Sequence, residues 1–190
     1  MRWKYLNKAF RYLFFFILMA AVTEVLAEIT NANRNFYLLH IDTFAQAITL
    51  TGFYYFLNKN RLTQRLLIIG FVLFVLIALT EILFIHGWNG FNSLAKSFLS
   101  LIMGVSSFLL LLRIKNNPKY VNVHLTPVYW VCSGLLIFYI TNFTLFFFGF
   151  ELSNRPLEYF REVYLYFLSV LIAVRVFISI GLWKVSSVQM

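Results

Sequence analysis

A chain of 190 residues that is 61% hydrophobic and 12% charged, with a mean hydropathy of +0.79, is no ordinary soluble domain, since those run at about 45–50% apolar and about 25% charged. The net charge of +9 does not mark a nucleic-acid binder, because the basic residues lie scattered between apolar stretches rather than gathered on one patch or helix. Cys132 is the single cysteine and sits inside an apolar run, which excludes a disulfide framework and a CxxC metal or redox pair.

The first apolar stretch, about 12–29, follows a cationic lead-in with Arg2, Lys4, Lys8 and Arg11. A basic start, an apolar core and Val25-Leu26-Ala27 before Glu28 also fit a cleaved secretory signal, but Glu24 inside the core and the length of the run favour a retained span. Glu24 and Glu28 share a helical face with Ala20, Ala21 and Ala27, which reads as a packed interior side. After an Asn-rich turn, the second stretch, about 37–57, places Asp42, Ala45, Gln46, Thr49 and Gly52 on one face of a helix. Lipid cannot satisfy such a stripe, so it must face other helices or a wet cavity.

The segment 58–65 carries cations and no acid, and the third stretch, about 66–85, aligns Gly70, Phe74, Ile77 and Glu81. A short Gly- and Trp-containing link leads to the fourth, about 93–112. There Ser93, Ser97, Ser100, Gly104 and Ser107 recur every three or four residues, a small-residue seam that admits a close helix neighbour, with Lys96 beside it. The fifth stretch, about 127–150, opens on Pro127, which suits a first helical turn, and carries Cys132, Tyr139 and Asn142 on one face. The sixth, about 164–183, has Arg175 near its middle.

Counting Lys and Arg in the links sets an orientation. With the N-terminus inside, the inner segments hold 11 of them and the outer segments 3, the remaining two being Lys96 and Arg175 within spans. The positive-inside rule then predicts an all-α polytopic transmembrane helix bundle, six spans in a single membrane domain, with both termini cytoplasmic.

The intramembrane charges are the candidate site. Glu24, Glu28, Asp42, Glu81 and Lys96 fall towards one leaflet under this topology, and each costs about 2.5–3.5 kcal/mol at the centre of a lipid-facing helix, so burial against partners is expected. Glu24, Asp42, Gln46, Glu81, Lys96, Asn142 and Arg175 form the candidate ligand-binding or helix-packing set, and Ser97, Ser100, Gly104 and Ser107 the candidate packing seam. Asp42 and Glu81 suit a cation or proton, with Lys96 as counter-charge and Arg175 holding an anionic ligand deeper in; structural ion pairs or snorkelling ends are the competing reading. His40, His86 and His124 lack the paired spacing of a haem or metal site and read as interfacial hydrogen-bonding residues. No cofactor or metal is expected. Gly-x-Ser-x-Gly, His-Glu-x-x-His, P-loop and Gly-x-Gly-x-x-Gly motifs do not occur, which points away from an enzyme and leaves no catalytic residue to name.

Three stretches taken together, NFYLLHIDTFAQ (Asn35 to Gln46), PVYWVCSGLLIFYITNFTLFF (Pro127 to Phe147) and ISIGLWK (Ile178 to Lys184), resemble a loosely defined group of small uncharacterised bacterial inner-membrane proteins. The resemblance implies a sensory or accessory membrane module, of the kind often found with histidine-kinase signalling genes. The chain departs from that group in Gln46, where an acid is expected, in Asp42, where an aromatic is expected, and in lacking a first helix. The sequence reading is therefore a non-enzymatic membrane sensor or accessory subunit in the bacterial inner membrane. It would work with the lipid bilayer and a membrane-protein partner or a second copy, and without nucleic acid. A small transporter or lipid- or ion-handling protein using the same charges is the alternative.

Overall fold

The computed structural model describes residues 8–29, 36–85, 87, 88, 90, 92–116, 126–148 and 157–187. Among them every regular element is helical: α1 Lys8–Ile29, α2 Phe36–Leu57, α3 Arg61–Thr80 continued by a π-helical turn Glu81–Ile85, α4 Ser93–Lys115, α5 Pro127–Phe147 and α6 Leu157–Ser187. Four helices clearly extend past the apolar stretches that announce them: α1 starts at Lys8, α3 starts at Arg61, α4 runs on to Lys115, and α6 runs from Leu157 to Ser187. Arg and Lys are good helix formers whose long stems lie along the helix while the charge reaches water, so a basic turn ends the apolar stretch without ending the helix.

Five of these six helices are long and apolar enough to cross a membrane, the spans being Lys8–Leu26, Arg61–Ile85, Ser93–Lys115, Pro127–Phe147 and Leu165–Lys184. The other is α2. Its 22 residues give about 33 Å of helix, enough for a bilayer core. Its composition is the difference, because His40, Asp42, Gln46 and three threonines, Thr43, Thr49 and Thr51, interrupt the apolar sequence.

The chain divides into two compact units, residues 1–99 and 100–190, with the division falling inside α4. In the first unit α1 and α2 run antiparallel. Phe10 meets Phe53 edge-on at 6.2 Å, Tyr12 stacks on Phe56 at 5.4 Å, and Thr23 comes beside Asp42 at the other end. Gly52 lets Tyr12 lie flat on α2, since a methyl group there would overlap the ring. α3 returns along α2, with Phe74 edge-on to Phe44 at 5.5 Å. Leu13, Ala47, Leu50, Phe53, Tyr54 and Phe74 form the buried core.

In the second unit α5 and α6 are the close pair, also antiparallel. Gly181 packs on the first turns of α5, where a Cβ would overlap Val131 Cγ2 and sit 3.0 Å from the Pro127 carbonyl. Gly134 packs on Val174 and Phe177, and Trp130 lies 5.7 Å from the Phe177 ring. Val131, Cys132, Leu135, Tyr139, Val174 and Ile178 are the core.

The outside of both units is apolar. On α3 alone Leu62, Leu66, Ile69, Leu73 and Leu76 are all exposed, and the exposed side of α1 includes Phe14, Phe15, Leu18, Val22 and Val25. An apolar exterior of this extent has a lipid solvent.

A candidate functional site on the second helix

The polar stripe of α2 is turned inwards. His40, Thr43, Gln46 and Thr49 are buried, and the partly buried Asp42 stands at the centre of a network. Its Oδ2 accepts from Gln46 Nε2 one turn on, at 2.7 Å, and from Lys96 Nζ on α4, at 3.1 Å. Its Oδ1 lies 3.3 Å from Thr23 Oγ1 on α1. A threonine hydroxyl has one proton, and the Thr23 oxygen is also 3.0 Å from the carbonyls of Met19 and Ala20, so those nearer acceptors compete with Asp42. The Asp42–Lys96 ion pair is unevenly covered: the Lys96 side chain is 3% exposed and that of Asp42 is 16%. The carboxylate is thus the accessible half of a buried pair.

Glu81, fully buried, does something different. Its two carboxylate oxygens accept from the backbone N–H groups of Leu94 and Ala95, at 3.0 and 2.8 Å. These are N–H groups of the first turn of α4, which the helix itself leaves without acceptors. A negative charge at that position also meets the positive end of the helix dipole. A residue from the end of α3 therefore caps α4.

This frees Asn92, which occupies the N-cap position: its carbonyl accepts from Lys96 N at 3.1 Å. Instead of capping with its side chain, Asn92 donates through Nδ2 to Thr43 Oγ1 at 2.8 Å and to the Leu39 carbonyl at 3.2 Å, joining the α4 entry to α2. Asn92 Oδ1 is buried with no acceptor role filled by the protein, as is the Ser97 hydroxyl. The link before α4 is held too. His40 Nε2 lies 3.1 Å from the Gly90 carbonyl, and because a carbonyl can only accept, that nitrogen carries the proton. Gly87, at φ +69°, supplies the left-handed turn that a side chain would strain.

The sequence-derived set is thus divided. Asp42, Gln46 and Lys96 meet directly, and Glu81 engages the adjoining turn of α4. Glu24 is exposed on α1, and so is Ala21, which corrects the expectation that this face is interior. The reason is geometric, because Thr23 faces α2 and its neighbour in sequence is turned about 100° away. The side chain of Glu28 lies outside the described residues, as do His86 and His124.

Asn142 and Arg175 belong to the second unit. Asn142 is buried and returns its Nδ2 to the Phe138 carbonyl of its own helix at 3.1 Å. Arg175 is exposed on α6. The seam residues Ser97, Ser100, Gly104 and Ser107 are all buried within this chain. Gly104 is not tight, since a Cβ there would sit 3.7 Å from Tyr139 Cβ, an ordinary contact.

Thr23, Thr43 and Asn92 are participants that spacing did not single out. An Asn ahead of Ser-Leu-Ala-Lys is a helix-start signal, and it was the available clue to Asn92. Among the described residues no group of three His, Cys, Asp or Glu side chains is placed to hold a metal ion.

Helical throughout its regular elements, sheathed in exposed apolar side chains and carrying its charge pair inside, the chain is an all-α, multi-pass integral membrane protein. Compared with protein-family models, curated proteins and solved structures, it matches none.

Proposed function

We propose that this protein is a non-enzymatic integral-membrane sensor or accessory subunit that acts through a membrane partner. The observation that carries the reading is the position of Arg175. It is exposed midway along the Leu165–Lys184 span, about 13.5 Å from the nearer end of that span at Lys184, a depth at which a guanidinium facing lipid is costly. A partner helix, or a second copy, would dock on the face of the span that presents this exposed residue. The seam on α4 is not the docking face in this reading, because its small residues are already covered by the chain itself.

The sensing element is the Asp42–Lys96 pair. A ligand that takes Asp42 from Lys96 releases an ion pair that joins α2 to α4. The setting we assign is the bacterial inner membrane, with both termini cytoplasmic and α2 serving as a sixth span. The 11-to-3 distribution of Lys and Arg supports that orientation, and the inward turn of the α2 stripe supports its passage.

The test is gentle extraction from native membranes followed by mass spectrometry of what co-purifies. A stoichiometric membrane subunit or a homodimer, lost on Arg175→Ala and retained on Asp42→Asn, is the expected result. A monomer in native membranes, whose Arg175→Ala and Asp42→Asn variants differ only in abundance, would sink the reading. Liposome flux abolished by Asp42→Asn in a folded protein would replace it with transport.

A further inference from the structure

We propose that the corner between α2 and α3 binds the headgroup phosphate of an anionic phospholipid. The link is three residues long, Asn58-Lys59-Asn60, and its shape is fixed by its own polar groups. Asn58 Nδ2 donates to the Tyr54 carbonyl at 2.9 Å, and Leu62 N donates to Asn60 Oδ1 at 2.9 Å. Gln64 Nε2 closes the turn by donating to the carbonyls of Asn58 and Tyr55, at 2.8 and 3.1 Å. A corner held this way presents its remaining side chains from a backbone that does not have to be ordered first.

Those side chains are cationic. Lys59, Arg61 and Arg65 are all exposed, and none of them forms an ion pair among the described residues. Arg61 and Arg65 are four apart and stand on one face of α3, a spacing that lets two guanidinium forks approach one phosphate. The start of α1 adds to the field, since Lys8 Nζ lies 5.8 Å above the Phe56 ring and brings its charge to the same end of the unit. No competing carboxylate is near in sequence: the chain has no acid before Glu24 and none between Asp42 and Glu81.

The apolar half of a lipid is also provided for. Along the face of α3 that carries the two arginines run the exposed Ile68, Val72 and Leu79, with the exposed Leu76 beside them. Headgroup phosphate at Arg61 and Arg65 with an acyl chain laid on this stripe fits a phosphatidylglycerol-like lipid better than free phosphate, which would use only the basic part. A general attraction of basic helix ends to anionic leaflets is the background against which a site must be measured.

The experiment uses the full chain reconstituted in mixed phosphatidylcholine and phosphatidylglycerol vesicles, extracted gently and weighed with its retained lipids. Wild-type protein is expected to retain phosphatidylglycerol selectively, with inorganic phosphate failing to displace it. The triple variant Lys59→Gln/Arg61→Gln/Arg65→Gln is expected to lose that selectivity about tenfold or more, at the usual strength of surface Lys/Arg–lipid attraction. The control Arg113→Gln/Lys115→Gln, which neutralises the basic end of α4, should keep it. Equal retention of both lipids, or an equal loss in the control, would overturn the site. A second readout needs no variant: a photoactivatable phosphatidylglycerol should label 61–79 preferentially, and labelling spread evenly over all basic helix ends would refute the proposal.

Discussion

Within residues 1–99 the helices are tied by side chains that reach across: Lys96 to Asp42, Glu81 to the first turn of α4, Asn92 to Thr43 and the Leu39 carbonyl. From Ser100 onwards the polar side chains Ser106, Ser107, Thr141, Asn142, Thr144 and Ser169 bond to carbonyls of their own helix, one turn back. There it is the small size of Gly134 and Gly181 that brings α5 and α6 together. The contrast is between two ways of holding helices where water is scarce. Close packing of small residues is short-ranged and indifferent to protons and ions, whereas a buried charge pair can be undone by one proton or one ligand. On the sensor reading proposed above, the responsive part is the first unit and the inert part the second.

The largest expected effect tests that division directly. Asp42→Ala leaves the Lys96 ammonium buried without its carboxylate and should cost about 3–5 kcal/mol, whereas replacing both partners in Asp42→Leu/Lys96→Met should recover most of that loss. Thermal unfolding in detergent, followed by the loss of monodisperse protein, reads both variants. A double variant that is as unstable as the single one would mean that the pair acts through something other than its mutual charge. A stable double variant that no longer functions would locate the response in the pair.

Glu81→Gln comes next. The amide has one acceptor oxygen for the two N–H groups of Leu94 and Ala95, and it loses the charge that favours a helix N-terminus. The expected loss is about 1.5–3 kcal/mol, with amide exchange quickening at Leu94 and Ala95 ahead of the rest of α4. Unchanged exchange there would show that the cap is not what holds that turn.

These first two effects also mark what the sequence made legible. The need to bury the α2 stripe followed from Asp42, Gln46 and Thr49 on one helical face, and six helices followed from the apolar stretches. What did not follow was the pairing. Spacing within a helix says which residues share a face, but the register between helices decides which acid meets Lys96, and it is Asp42 that does so. Glu81 was equally eligible by charge, yet its partners are backbone N–H groups, which carry no residue-type signature. Glu24 was misplaced for a related reason, since small residues beside an acid mark a face without saying whether a neighbour covers it. The tight glycines escaped too: Gly134 and Gly181 matter because α5 and α6 pair with each other, and nothing within either helix announces that.

The second unit yields smaller losses. Gly181→Ala pushes a methyl group into Val131 and towards the Pro127 carbonyl, and backbone on one side leaves little room to give. Overpacking of this kind costs about 1–3 kcal/mol. The variant should lower the unfolding temperature without altering lipid retention or the response of the first unit. A change in the response would break the division into responsive and inert parts.

Gly104→Ala sharpens the comparison from the other side, because it changes the same residue type by the same methyl group within the same unit. Here the added carbon would meet Tyr139 Cβ at 3.7 Å, which is attractive van der Waals contact rather than overlap. Alanine also has the better helix propensity by about 0.8–1 kcal/mol in a helix interior, so the variant should unfold at the wild-type temperature or slightly above it. The seam pattern on α4 invites the opposite expectation, that its glycine is indispensable for close approach. If Gly104→Ala destabilises as much as Gly181→Ala does, α4 and α5 lie closer than 3.7 Å allows and the seam is a tight interface after all. If it does not, small residues on α4 are tolerated there rather than required, and the close helix contact of this unit belongs to α5 and α6.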